Sequence, residues 1–235
     1  MTATELIIQA KHPDKYLASL DKFTVINGES LDGVQLLNHP NITLYCLDDK
    51  QKRAIFVETP KTVNLYKAPF FYQAQFGHAQ KLFALSYGDF IRLARIMPAP
   101  KKLVFLYSLG RCGSTLLSHC FNQLTRTLSV SEPDVFTHLT GLRDVGRVRD
   151  AELQVLAQAC TAFLCKPAPD KKPSRFVFKL RGFSIELSDL LHEALPKAKN
   201  LFLYQNLDDW LRSTARLSKT LFYEKEGLTK RSLPT

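Results

Sequence analysis

The stretch that decides the fold is residues 103–117, which read LVFLYSLGRCGSTLL. Leu103 to Tyr107 is a continuous apolar run, typical of a strand that is buried on both faces of a sheet. Ser114 to Leu124 has apolar side chains at helical spacing and predicts a helix. Between them lie Gly110 and Gly113, which accept the left-handed backbone conformation. The stretch therefore predicts a buried strand, a tight loop and the start of a helix.

The loop has the composition of an anion-binding site for a phosphate or sulfate ester. Its successive backbone N–H groups would converge on an anion at the positive end of the helix. Ser114 and Thr115 add hydroxyl donors, and one of them would also cap the helix. Arg111 adds a permanent charge with a forked set of donors. The simpler alternative is an ordinary turn that uses two glycines and a Ser-Thr cap.

The loop departs from the ATP-binding motif G-x-x-x-x-G-K-[ST]. Alignment of that motif places Ser108 at its first glycine and Ser114 at its lysine. Because the missing lysine is the residue that contacts the β- and γ-phosphates, an ATPase or kinase is not expected. Arg111 would instead stabilise a leaving oxygen as that oxygen becomes negative.

Strand–helix units continue after the loop. The predicted strands are Leu128–Ser131, Arg175–Leu180 and Leu201–Tyr204, and the predicted helices are Ala151–Leu164, Ile185–Leu195 and Leu207–Leu217. Such repetition predicts right-handed crossovers and a parallel sheet covered by helices on both faces. Ligands of these sheets bind beyond the carboxyl ends of the strands, where the loop lies.

The first third of the chain has a different pattern. Asn41–Leu47 and Ala54–Glu58 predict a hairpin, and Tyr87–Ile96 predicts a helix. The aromatic cluster Phe70–Tyr72 is expected in the core or an interface rather than in a ligand site.

Prolines in residues 97–102 predict a boundary between residues 1–97 and 98–235. The expected fold class is α/β, with a P-loop-type parallel β-sheet flanked by helices and a small N-terminal α+β region.

Composition narrows the class of protein further. The chain has 235 residues, of which 45% are hydrophobic and 23% charged, as in ordinary globular proteins. No apolar run approaches the roughly 20 residues of a membrane span, and Met1–Ala10 lacks the basic start of a signal peptide. The five cysteines are odd in number and lack zinc-ligand spacing. We therefore expect a cytoplasmic protein with free thiols and no metal.

The net charge of +10 suits either general solubility or a polyanionic ligand. The basic residues are dispersed, and no aromatic-interleaved basic stripe marks a nucleic-acid module. Nucleic acid is therefore not an expected partner.

Gly110 to Leu117 resembles the cofactor loop of the sulfotransferases that use 3′-phosphoadenosine 5′-phosphosulfate. In their carbohydrate and bacterial branches this loop often reads G-R-[SC]-G-[ST]-[ST]-L-L. The resemblance implies that Arg111 contacts the 5′-phosphosulfate and stabilises its bridging oxygen. It also implies that the 5′-phosphate is bound by the rest of the loop: Gly110, Cys112, Gly113, Ser114 and Thr115.

The family carries a second element, R-D-P-x-x-x-x-x-S after a strand, which binds the 3′-phosphate. Here residues 205–213 read QNLDDWLRS, so Ser213 matches the serine and Gln205 replaces the arginine. By resemblance both residues bind the 3′-phosphate. An amide lacks the charge-assisted part of that contact. Either binding is weaker, or Arg212 or Arg216 compensates.

The sequence SVSEPD at residues 129–134 is similar to an S-E-P stretch on the acceptor side of carbohydrate-type relatives. Glu132 is therefore the leading candidate for a general base that takes the acceptor proton. The alternative is an acidic residue in a turn before proline. His119 and His138 rank lower. Lys179 and Arg181 would contact cofactor or acceptor, or would simply be solvated.

The expected activity is transfer of a sulfuryl group from 3′-phosphoadenosine 5′-phosphosulfate to a hydroxyl or amine of a small-molecule or carbohydrate acceptor. A non-catalytic nucleotide- or anion-binding domain is the main alternative, and a nucleotide kinase or hydrolase is a third. Sulfotransferases usually continue well past the 3′-phosphate helix, whereas this chain stops at Thr235. Three interpretations are open: a shortened member of the family, a fragment, or a gene product that lost its tail. With Gln205, each of them also leaves open a chain without catalytic activity.

Overall fold

The computed structural model describes residues 1–12, 17–146, 148–167 and 172–225, with the backbone alone for residues 218–225. These residues form a mixed α/β structure with two sheets. The first sheet is antiparallel and lies before residue 87, and the second is parallel and begins at Lys102. The assignment of residues 1–97 and 98–235 to separate domains stays a prediction.

The antiparallel sheet has five strands in the order β2-β1-β5-β4-β3. They are β1 (Thr2–Lys11), β2 (Phe23–Asp32), β3 (Ile42–Asp48), β4 (Arg53–Glu58) and β5 (Lys81–Ser86). β3 and β4 form the predicted hairpin, with Ile42 opposite Glu58. The other three strands were not predicted.

Three helices accompany this sheet: α1 (Gln35–Asn38), α2 (Phe71–His78) and α3 (Tyr87–Ile96). α3 has the predicted bounds and buries Phe90 and Leu93, while the Ser86 hydroxyl caps it by accepting from the Asp89 N–H at 3.2 Å. Phe71 and Tyr72 of the aromatic cluster are buried in the core, whereas Phe70 is half-buried.

The parallel sheet has four strands in the order β7-β8-β6-β9, and all its pairs are parallel. The strands are β6 (Lys102–Ser108), β7 (Thr127–Ser131), β8 (Arg175–Lys179) and β9 (Lys199–Leu203). The helices around it are α4 (Ser114–Gln123), α5 (Val135–Asp144), α6 (Asp150–Leu164), α7 (Ser188–Ala194) and α8 (Leu207–Lys225). A parallel sheet flanked by helices is therefore confirmed.

Two features of this region differ from the prediction. The helix expected over 185–195 is a 3-10 helix, Gly182–Leu187, followed by the shorter α7. Gly182 lies so close to β6 that a Cβ there would meet the Ser108 carbonyl oxygen at 3.0 Å. α5 was not predicted, although it buries Val135, Phe136 and Leu139.

Within the described residues, β9 is less covered than the other three strands of the parallel sheet. β6, β7 and β8 are almost wholly buried, whereas four of the five residues of β9 are exposed. The physical reason is position: β9 is an edge strand that pairs with β6, and the described side chains of α8 are themselves exposed or half-buried.

One hydrophobic cluster joins the two sheets. The ring of Phe163 on α6 packs against Phe56 of β4 and Phe90 of α3, with centroids 5.0 and 4.9 Å apart. The core therefore runs from the antiparallel sheet through α6 to the parallel sheet.

Candidate functional site

The loop after β6 has a backbone of unusual conformation. The φ angles of Gly110, Arg111 and Gly113 are 75°, 59° and 81°. A Cβ at either glycine would meet nothing within 4 Å, so glycine is required there by the backbone conformation and not by space. Arg111 takes the left-handed region with a side chain attached, which costs on the order of 1 kcal/mol. Strain of this kind is concentrated at functional sites.

The start of α4 differs from the prediction, because its N-cap is Gly113 and no side chain caps it. Ser114 is buried instead, and its Oγ accepts a hydrogen bond from the Ser108 hydroxyl at 3.0 Å. The Ser114 hydroxyl keeps its own proton to donate. Thr115 is half-buried in the first helical turn. Since the N–H groups of this turn lack a side-chain cap, they suit an anion.

Three hydrogen bonds tie the loop to the end of β9 and to α8. Arg111 donates from Nε to Ser213 Oγ at 3.1 Å, and Gln205 donates from Nε2 to the Arg111 carbonyl oxygen at 3.0 Å. The Cys112 thiol donates to the Leu203 carbonyl oxygen at 3.4 Å. The structure thus brings together the two segments that were singled out separately in the sequence.

Glu132 lies at the same edge of the sheet, in a second group of charged side chains. Its backbone is left-handed, with φ of 57°, and its carboxylate pairs with the Lys179 ammonium. Arg181 Nε lies 3.6 Å from Glu132 Oε2 and 2.8 Å from Asp134 Oδ1. Lys179 and Arg181 are therefore engaged with carboxylates and not simply solvated.

The Glu132 group and the loop are separated across the sheet. Glu132 follows β7, which is two strands away from β6, a distance of roughly 10 Å at the usual strand spacing. Aromatic rings from the N-terminal region border this group: Lys179 Nζ is 6.0 Å from the Phe70 centroid, and Arg181 Cζ is 4.4 Å from the Tyr72 centroid.

Asp134 and Tyr72 were missed as members of this group. Asp134 is fully buried, and its Oδ2 accepts from the Ala18 N–H at 2.6 Å. Its neighbours come from segments far apart in sequence, so no local pattern indicates them. The one signal in the sequence is that Glu132, Asp134 and Arg181 all follow the ends of predicted strands.

Neither histidine candidate has the surroundings of a general base. His138 Nδ1 accepts from the Leu47 N–H at 3.0 Å, and Nε2 donates to the Ala18 carbonyl oxygen at 2.8 Å. Burial lowers the pKa of His138, which favours the neutral ring. His138 therefore links two segments of the core. His119 lies on α4 with a buried Nε2 atom that has no hydrogen-bond partner in the described part of the chain.

All five cysteines are free thiols. Within the described ranges there is no group of three or more His, Cys, Asp or Glu side chains that could hold a metal ion. The same residues include no helix that is long and apolar enough to cross a membrane.

No family model, no curated protein and no solved structure matches this chain. A function for this chain is therefore inferred from the geometry and chemistry of the loop and of the side chains around it.

Proposed function

We propose that this chain is a sulfotransferase that moves a sulfuryl group from 3′-phosphoadenosine 5′-phosphosulfate to a hydroxyl or amine of a small-molecule or carbohydrate acceptor. One observation carries the proposal. Arg111 and Ser213, which match the two cofactor motifs of that family, are 102 residues apart in sequence and are joined by a hydrogen bond. The pairing of β9 with β6 lays the two motifs side by side, as a single cofactor site requires.

The strand order supports a P-loop-type site. β6 lies between β8 and β9, and the chain leaves β6 for β7 on one side and later adds β9 on the other. Ligands of open parallel sheets bind at such a reversal, beyond the carboxyl ends of the strands. The loop at residues 110–113 occupies that place, with its left-handed residues at the start of α4.

The residues present fit a phosphate ester. The backbone N–H groups of residues 110–113, the first turn of α4 and the Ser114 hydroxyl would hold the 5′-phosphate. Arg111 uses Nε for Ser213, which leaves its terminal nitrogens to stabilise negative charge on the bridging oxygen. Gln205 and Ser213 would border the 3′-phosphate. When bound, the cofactor would supply an activated sulfuryl group.

Glu132 is the proposed base. An acceptor between the loop and Glu132 would lie beside the Phe70 ring, and its hydroxyl or amine proton would pass to the carboxylate. Lys179 holds this carboxylate in one orientation, and precise placement is a large part of catalysis.

A non-catalytic nucleotide-binding domain is the second candidate, and Gln205 favours it. The Gln205 amide supports the loop through the Arg111 carbonyl oxygen and adds no charge for a 3′-phosphate. A kinase or hydrolase is a weaker third candidate, because the residue at the phosphate-lysine position is the buried Ser114.

Calorimetry with 3′-phosphoadenosine 5′-phosphate tests the site. We expect micromolar binding, weakened about tenfold or more in Arg111→Ala by the loss of a charge-assisted contact. Arg126→Ala is the matched control, since Arg126 is also an exposed arginine with φ of 59°. Measurable ATP affinity without binding of this nucleotide would contradict both leading candidates.

Turnover of 3′-phosphoadenosine 5′-phosphosulfate with a panel of acceptors separates the sulfotransferase from the non-catalytic nucleotide-binding domain. A sulfotransferase loses turnover in Glu132→Gln but keeps nucleotide binding, while Glu152→Gln, an exposed glutamate on α6, changes neither. Tight binding without turnover of any acceptor would support the binding domain instead.

A further inference from the structure

Among the described residues, no strand or buried contact covers the outer edge of the parallel sheet. β9 pairs with β6 on one side, and no strand in the described ranges pairs with its other side. Four of its five residues are exposed. An edge of this kind presents unpaired backbone N–H and C=O groups to another chain.

Large apolar side chains crowd this edge and the helix that follows it. Leu201, Phe202, Tyr204, Leu207 and Leu211 are each between 40% and 70% exposed, and we refer to them as the β9–α8 surface. The rings of Phe202 and Tyr204 stack on each other, with centroids 6.2 Å apart. Phe202 and Tyr204 lie on one face of the strand and Leu201 on the other, so apolar side chains border the edge on both faces, as at an interface.

The charges that flank the β9–α8 surface match those of a second copy. Lys199 begins β9 and Lys197 precedes it by two residues, while Asp208 and Asp209 lie in the first turn of α8. If two β9 strands pair antiparallel, the lysines of each copy approach the aspartates of the other. A parallel arrangement would bring like charges together, which is unfavourable. The charge pattern is therefore self-complementary in the antiparallel orientation.

α8 fits the same arrangement. Leu207, Trp210, Leu211 and Leu217 are spaced so that they share one face of the helix. A two-fold axis perpendicular to the sheet keeps the α8 helices of both copies on the same side of the joined sheet. Leu207 and Leu211, which are 67% and 50% exposed, are then available to the other copy.

We propose that two copies of this chain associate through the β9–α8 surface, with antiparallel β9 strands that join the two parallel sheets into one sheet of eight strands. The interface is isologous, as in most two-fold dimers. The carboxyl edges of the two halves point in opposite directions, so the two loops at residues 110–113 lie at opposite edges of the joined sheet. This inference does not depend on the proposed activity.

Sedimentation equilibrium of the full chain under reducing conditions tests the dimer. We expect the wild-type chain to be a dimer at micromolar concentration. The dissociation constant should rise at least tenfold in Phe202→Lys/Tyr204→Lys, because the introduced lysines of the two copies repel each other near the two-fold axis. Ile26→Lys, at an exposed residue of β2, is the control and keeps the wild-type mass. Circular dichroism checks that each variant is folded.

A charge exchange tests the orientation. Lys197→Glu/Lys199→Glu and Asp208→Lys/Asp209→Lys should each weaken the dimer severalfold, and the variant with all four changes should regain wild-type affinity. Three results would overturn the proposal. The wild-type chain could be monomeric at about 100 µM, or its dimerisation could be unaffected by Phe202→Lys/Tyr204→Lys. Alternatively, both charge-exchange pairs could weaken the dimer without rescue in the combined variant.

Discussion

At the scale of the residue, the loop depends on backbone conformations that few residues accept. Gly110 and Gly113 adopt positive φ without cost, whereas Arg111 adopts it with a side chain. The cost at Arg111 is offset by the bonds that its side chain and carbonyl oxygen make with Ser213 and Gln205. The conformation of the loop is therefore coupled to the segment after β9.

Gly113→Ala should destabilise the protein by about 1 kcal/mol, because alanine is strained at φ of 81° although the space is open. Nucleotide binding should weaken as well. Urea unfolding measures the first effect. Gly77→Ala on α2 is the control, since it also has open space but an ordinary φ; equal effects of the two changes would contradict the argument.

Acid should destabilise the protein through His138. Burial lowers the pKa of this residue below its ordinary value of 6.5. Below that pH the unfolded chain therefore binds more protons than the folded chain, and stability falls as the pH falls. His138→Gln should flatten the decline of the melting temperature between pH 7 and 5, while the exposed His78→Gln should not. An unchanged slope in His138→Gln would show that other groups control the acid response.

At the scale of the element, buried polar contacts set how helices and strands meet. After α6 ends, the Lys166 ammonium donates to the carbonyl oxygens of Leu36, His39 and Ile42 at 2.6, 2.6 and 2.7 Å. These carbonyl groups belong to α1, the turn after it and the start of β3. A single side chain thus fixes one corner of the antiparallel sheet against α6.

Lys166→Met should lower the free energy of unfolding by about 2 kcal/mol, since it leaves buried carbonyl groups without donors. Denaturant titration measures this, and Lys61→Met, at an exposed lysine, is the control. A loss below about 0.5 kcal/mol would indicate that the carbonyl groups find other donors.

At the scale of the whole molecule, charged groups join the two sheets beneath the candidate site. Asp134 binds the Ala18 N–H from the N-terminal region and pairs with Arg181 after β8. Since Asp134 is fully buried, its contacts are shielded from water and salt. The edge that carries Glu132 is therefore held against the N-terminal region.

Asp134→Ala should destabilise the protein by about 3 kcal/mol, because it removes the acceptor of the buried Ala18 N–H and the nearer of the two carboxylates that face Arg181. The control is Asp150→Ala, which removes an ion pair from a half-exposed carboxylate and should cost less than about 1 kcal/mol. Thermal unfolding compares the two. Similar losses of stability in both variants would mean that the buried Asp134 carboxylate does not hold the two sheets together.

Local signals in the sequence predicted β6, the loop, α4, α3 and the β3–β4 hairpin. Each depends on a pattern within a few residues: an apolar run, glycines, or spacing of 3.6 or 2 residues. β1 and β2 were missed because their buried residues do not alternate with period 2. β5 was missed because its partners are distant in sequence, as when Leu82 pairs with Leu6 of β1. The 3-10 helix at Gly182–Leu187 was mistaken for an α-helix, since apolar spacing over so few residues does not separate the two.

The sequence by itself determined the strand–loop–helix at residues 103–124. Only the tertiary structure decided that Arg111 bonds to Ser213, that Glu132 pairs with Lys179 and that β9 is an exposed edge. The physical reason is the separation in sequence over which each kind of interaction acts. Backbone preference and periodicity act within one element, whereas ion pairs across strands and the position of a strand in a sheet arise only when distant segments pack together.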